Sequence, residues 1–254
     1  MDLNTILMLA IFSVIVGVLI GSVGIGGVLL LPILTYLFKI EIHVALSSAM
    51  IGYIFSGLVG VIIYGQEGSI KWNMALWLIV GGMPGAFLGS SIANNISNEG
   101  LELIIGLFVL FAGARALKRP TKTNQSKAIT GSIVLIFIGF FTGAGSAISG
   151  TGGPLVLIPI MVSLKIAAHT AVGLSQAIQL PVASLATFGN FLYGTIDYHI
   201  AGTISGGLAI GGAIGAKIAH LISAIKMSLM VSWVLLFVGV VILFKLCFNY
   251  FLYG

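Results

Sequence analysis

Apolar residues fill this chain in long runs, and short polar or charged turns separate them: Lys39–His43, Gln66–Lys71, Asn94–Gly100, Lys118–Lys127, Lys165–His169, Thr195–His199 and Ser223–Lys226. Most runs are of helix-spanning length, namely Val44–Gly65, Ala75–Ala93, Leu101–Leu117, Thr170–Gly194, Ile200–Ile222 and Met227–Phe248. Two are too long for one crossing and too short for two. Leu3–Phe38 and Ala128–Leu164 would each reach about 54 Å as a single helix, against a hydrocarbon core of about 30 Å. Each is broken midway by glycines, GSVGIGG at Gly21–Gly27 and GAGSAISGTGGP at Gly143–Pro154. The pattern predicts a glycine-tipped hairpin with one short arm in each, either crossing twice or re-entering.

The two hairpins open two copies of one pattern. At a constant offset of 126, Gly17 pairs with Gly143, Gly24 with Gly150, Gly26 with Gly152, Gly27 with Gly153, Lys39 with Lys165 and His43 with His169. The register continues through Gly85 with Gly211, Gly89 with Gly215, Ala93 with Ala219 and Gly113 with Gly239, and only Pro32 and Pro159 slip by one. The expected architecture is an all-α integral membrane protein of eight to ten transmembrane or re-entrant segments in two repeats. Residues 1–117 form the first repeat, 118–127 a cytoplasmic linker, and 128–254 the second.

Composition makes the membrane assignment firm, since 59% of residues are hydrophobic and 7% charged, against about 25% charged in soluble domains. The net charge of +5 has no basic, aromatic-interleaved stripe behind it, so nucleic acid is not implied. The basic residues orient the chain instead. If each broken stretch returns to its side of origin, nine Lys and Arg fall in the cytoplasm and two, Lys39 and Lys245, outside. Single crossings would leave seven against four. The positive-inside bias favours inverted repeats with both termini outside a cell membrane. The lone cysteine, Cys247, carries no disulfide or ligand-spacing signal. No cleaved targeting segment is evident at the N-terminus.

Interrupted segments at matched places in inverted repeats point to a transporter site at the two glycine tips. The segments leaving the tips begin with N–H groups that lack intrahelical partners, so a tip can hold an anion without a buried cation. Candidate contacts there are Ser22, Gly24, Gly26, Gly27, Ser146, Ser149, Gly150, Thr151, Gly152 and Gly153. Interior polar residues add Ser48, Ser175, Gln176, Gln179 and Asn190, with interhelical hydrogen bonding the competing role. His43 and His169 read as interfacial anchors at segment ends. The spacings Gly85/Gly89, Gly202/Gly206 and Gly211/Gly215 read as helix contacts. No nucleotide loop, nucleophile elbow or metal-ligand motif is complete, so neither enzyme nor cofactor is expected.

On GSVGIGG-VLLLP, GTGGP-LVLIP, His43, His169, PGAFLG (Pro84–Gly89) and GGAIGAKIA (Gly211–Ala219), the chain resembles the sulfite exporter TauE/SafE family over about residues 7 to 245. The resemblance implies alternating-access transport of a small anion, a sulfur oxyanion such as sulfite or an organosulfonate, with a coupling proton or ion. Its other partner is the lipid bilayer. An anion channel and a structural membrane subunit are the alternatives. Ser47-Ser48-Ala49 and Gly173-Leu174-Ser175 depart from the expected Gly-Thr-Ser-like step.

Overall fold

The structure is a computed structural model that describes residues 2–24, 26–93, 95–97, 131–164, 166–193 and 195–223, with single helical positions between 100 and 110 and between 226 and 244. The expected linker, Lys118–Lys127, lies outside the described residues, as does most of Leu101–Leu117 and Met227–Phe248. Among the described residues every regular element is a helix, without strands, in the order α1 Leu3–Val23, α2 Gly27–Pro32, α3 Ile42–Gln66, α4 Trp72–Ala93, α5 Ser132–Ser149, α6 Pro154–Ser163, α7 Ala168–Tyr193 and α8 Tyr198–Ala219. Six of them, all but α2 and α6, are long and apolar enough to cross a membrane. The chain is a multi-pass membrane protein.

Local chemistry sets the boundaries. α1 stops where Gly24 turns left-handed at φ 76°, its N–H bonding Ile20 O at 2.9 Å, and α5 stops the same way at Gly150, φ 65°. An L side chain disfavours that backbone, so glycine is the natural terminator. Pro154 then opens α6 in the first-turn position where a missing N–H costs nothing. Pro32 cannot donate within α2, and the chain continues as a wide π-turn over Ile33–Leu37. Glu41 caps α3 through Val44 N at 3.1 Å, and Asp197 caps α8 through His199 N at 2.9 Å.

Each broken stretch is a long arm and a short one. α1 has 21 residues and α5 has 18, enough for about 27 to 31 Å. The short arm α2 runs back along α1: Gly26 lies against Val16 O and Ile20 N, and the Phe38 ring meets that of Phe12 at 6.1 Å.

The halves exchange their helices. α1 packs on α8 and α4 on α5, each through glycines so close that a Cβ would strike the neighbour's backbone: Gly211 meets Val14 and Gly215 meets Val18, while Gly85 meets Phe140 and Gly89 meets Ala144. The contacts are repeat mates of one another. Both pairs run in the same direction along the chain. α3 and α7 cross in opposite directions at the centre, with Gly60 against Gln176 and Tyr53 against Gln179. The glycine pairs 85/89 and 211/215 are helix contacts as expected. Gly202 and Gly206 differ, having no atom of the described residues within 4 Å of a Cβ position.

Candidate functional site

The two tips meet at the middle of the molecule because the exchanged helices bring both short arms against α3 and α7. A Cβ on Gly27 would lie 2.5 Å from the Thr151 carbonyl oxygen, and Gly150 packs on Leu31 of the first short arm. Tyr53, fully buried on α3, reaches both tips. Its Oη is 3.0 Å from Gly27 O and 3.1 Å from Gly150 O, and its ring covers Gly152. Behind it, Gln179 Nε2 donates to the Tyr53 carbonyl at 3.1 Å and Gln176 Nε2 donates to Ile20 O at 2.8 Å.

Most glycines of the tips are held by protein. Gly24 faces Ile158 and Ser175, Gly26 faces Val16 and Ile20, and Gly152 faces Tyr53. Gly153 is different. Nothing lies closer than 3.9 Å to its Cβ position, and the two atoms at that distance belong to Ile178 and to Ser146 Oγ.

The candidate hydroxyls divide the same way. Ser22 donates to Val18 O at 2.6 Å, Ser149 to Gly145 O at 2.6 Å and Ser175 to Val172 O at 2.7 Å, each within its own helix. Ser48 donates to Asp197 O at 3.4 Å, toward the turn before α8, and Thr151 lies 2.9 Å from Ser149 Oγ. Ser146 alone among them is fully buried without a hydrogen-bond partner. Gln176 Oε1 and Gln179 Oε1 are also buried and unpaired, their amide N–H groups being turned to carbonyls. Asn190 is buried but sits 11 residues along α7 from Gln179, about 16 Å away on the helix axis, so it is not part of the tip cluster.

Ser146 lies beside the start of α6. Gly153 is the residue whose carbonyl accepts the first helical bond, from Leu157 N at 3.3 Å, which leaves the N–H groups of Gly153, Leu155 and Val156 without intrahelical partners. The α6 dipole adds positive potential at that end. Among the described residues no Lys, Arg, Asp or Glu is buried, and no cluster of three His, Cys, Asp or Glu could hold a metal ion. The site's chemistry is that of neutral donors, the Ser146 hydroxyl and the first N–H groups of α6.

Tyr53, Tyr64 and His220 are absent from the sequence-based candidates. Tyr64 donates to Gly21 O at 2.8 Å, and its ring lies 4.8 Å from that of His220. His220 Nδ1 and His169 Nε2 donate to Ala216 O and Ala219 O, so both histidines cap the last turn of α8. A signal for the tyrosines was present: Tyr53 is the repeat mate of Gln179, and Tyr64 of Asn190, so polar groups recur at matched interior positions.

Residues 9–242 match the sulfite exporter TauE/SafE family. A probable membrane transporter protein, YdhB, of Bacillus subtilis (strain 168) is 28% identical over 238 residues, covering 90% of this chain and 96% of its own. Another, MJ0441 of Methanocaldococcus jannaschii, is 26% identical and covers 94% of each, and one of Xylella fastidiosa (strain Temecula1) is 25% identical, covering 83% of this chain and 84% of its own. No solved structure matches the chain. With residues 9–242 of its 254 matched to that family, the chain belongs to the sulfite exporter TauE/SafE family of membrane transporters.

Proposed function

We propose that the protein carries a small sulfur-containing anion, a sulfur oxyanion such as sulfite or an organosulfonate, across the cell membrane by alternating access between two inverted halves. The observation that carries the anion is the buried, unpartnered Ser146 hydroxyl beside Gly153, at the start of a helix whose first N–H groups have no intrahelical partners. A dehydrated anion needs several donors at once, and a helix N-terminus supplies them without a desolvated cation. The first tip differs, for α2 has only six α-helical residues and its glycines face protein. We therefore place the anion at the second tip.

Chain direction supports inversion. When each broken stretch returns to its side of origin, α1 and α8 cross the membrane in the same sense, α4 and α5 in the same sense, and α3 and α7 in opposite senses. The packed pairs run that way. With single crossings, α1 and α8 would still agree, but α3 and α7 would cross in the same sense, whereas they pack in opposite directions. In this arrangement both termini are outside and the Lys118–Lys127 linker is cytoplasmic.

The test is counterflow in proteoliposomes with radiolabelled sulfite, competed by thiosulfate, sulfate and methanesulfonate. Saturable exchange inhibited by at least one sulfur anion is expected. Conductance without saturation would make the protein a channel, and no movement of any of the four would overturn the reading.

A further inference from the structure

A tyrosine has one O–H to donate, yet Tyr53 Oη stands at nearly equal distance from two carbonyls, Gly27 O at 3.0 Å and Gly150 O at 3.1 Å. Those carbonyls belong to the two tips, one from each half. One O–H cannot serve both carbonyls fully, and a negatively charged oxygen is a stronger acceptor than a carbonyl, by roughly twofold in hydrogen-bond strength. On the second tip the Tyr53 ring lies on Gly152, and the next residue, Gly153, has Ser146 Oγ 3.9 Å from its Cβ position. We propose that Tyr53 is a latch: its hydroxyl joins the two tips, and an anion arriving at the second tip takes the O–H and frees the first tip to part from it. This rests on the anion-transport reading and adds to it the trigger for movement.

The surroundings of Tyr53 suit a group whose hydroxyl moves while its backbone stays. The Tyr53 carbonyl is tied to Gln179 across the centre of the molecule, and the ring is wedged on Gly152, where a side chain would displace it. Gln179 occupies the equivalent place in the other half, and its Nε2 is directed to a helix carbonyl. The latch is single although the architecture is doubled. An anion held at the second tip therefore releases the first tip, and not the reverse.

The test uses the full chain in nanodiscs with Cys247→Ser and a reporter, Ile148→Cys, on the half-buried last turn of α5. Without added anion, Tyr53→Phe should raise the rate of thiol labelling about tenfold, since the ring packing stays and only the shared hydrogen bond goes. Tyr64→Phe removes an equally buried tyrosine hydroxyl from Gly21 O, and should change labelling by less than about twofold. Added sulfite should raise labelling in the reporter protein that keeps Tyr53 and give no further rise in Tyr53→Phe. In counterflow, Tyr53→Phe should raise KM for sulfite while the maximal rate is kept. Equal labelling of the reporter protein with and without the Tyr53→Phe substitution overturns the latch whether or not sulfite is carried. Faster labelling in Tyr53→Phe with no response of the parent to sulfite, thiosulfate or methanesulfonate overturns the anion as its trigger. Should Tyr53→Phe not yield monodisperse protein, hydrogen exchange on the unsubstituted chain decides: sulfite should speed exchange at residues 26–30, and exchange there that slows or stays constant overturns the proposal.

Discussion

Ser146 and Gly26 mark the two kinds of residue that a glycine- and serine-rich tip contains. Ser146 buries a hydroxyl that bonds nothing, and removing such a group is neutral or stabilising for the fold, in contrast to breaking a made bond. Ser146→Ala should therefore leave the thermal midpoint unchanged or raised while weakening sulfite affinity about tenfold, a loss of roughly 1.4 kcal/mol. A parallel loss of both stability and affinity would assign the hydroxyl a structural role. Gly26 is the opposite case. A Cβ there would lie 2.5 Å from Val16 O, so Gly26→Ala should lower stability by about 1–3 kcal/mol through overpacking, read as a lower melting temperature in detergent. That position reports on hairpin closure before it reports on a ligand.

At the scale of helices, glycine spacing alone misleads. Gly85/Gly89, Gly202/Gly206 and Gly211/Gly215 share one motif, but among the described residues only the first and third meet another helix's backbone. A methyl group at Gly211 would come within 2.9 Å of Val18 N, so Gly211→Ala should force α1 from α8 and cost about 1–3 kcal/mol. Gly206→Ala meets nothing within 4 Å among the described residues and should stabilise α8 by up to about 1 kcal/mol through helix propensity. Paired melting curves check both signs. The elements themselves were largely legible: Val44–Gly65 became Ile42–Gln66 and Ala75–Ala93 became Trp72–Ala93, because capping by Glu41 and the polar turns extend helices past their apolar cores. The hairpins were legible too, from length and glycine position. The serines were not, since a sequence does not say whether a hydroxyl turns to its own helix, as Ser22, Ser149 and Ser175 do, or stays unbonded, as Ser146 does. Tyr53 escaped because an aromatic in an apolar run looks like packing until the tips fold onto it.

For the molecule as a whole, Tyr53 and Gln179, at the offset of 126 residues, are joined at the centre by a hydrogen bond between repeat mates. What the offset does not contain is the exchange of helices, which depends on contacts between positions far apart in sequence. Topology follows from both. Cysteines introduced at Glu41→Cys and Ala167→Cys should label from opposite faces of the membrane, Glu41 from outside, and labelling from a common face would rule out inversion. The exchange also predicts that residues 1–127 and 128–254 made as separate chains are unstable alone and restore sulfite counterflow when co-expressed. Stable, monodisperse half-chains would contradict it.

The interlock has a consequence for how the chain is made. α1 ends at Val23 and its partner α8 begins at Tyr198, so 174 residues separate the two in synthesis. At about 5–20 residues per second, the first helix waits in the bilayer for roughly 9–35 s before the glycine face it fits exists. α1 is the most apolar of the six membrane-length helices, and α8 the least. The early helix is the one that lipid alone can hold. The late, glycine-rich one arrives when its place is already built.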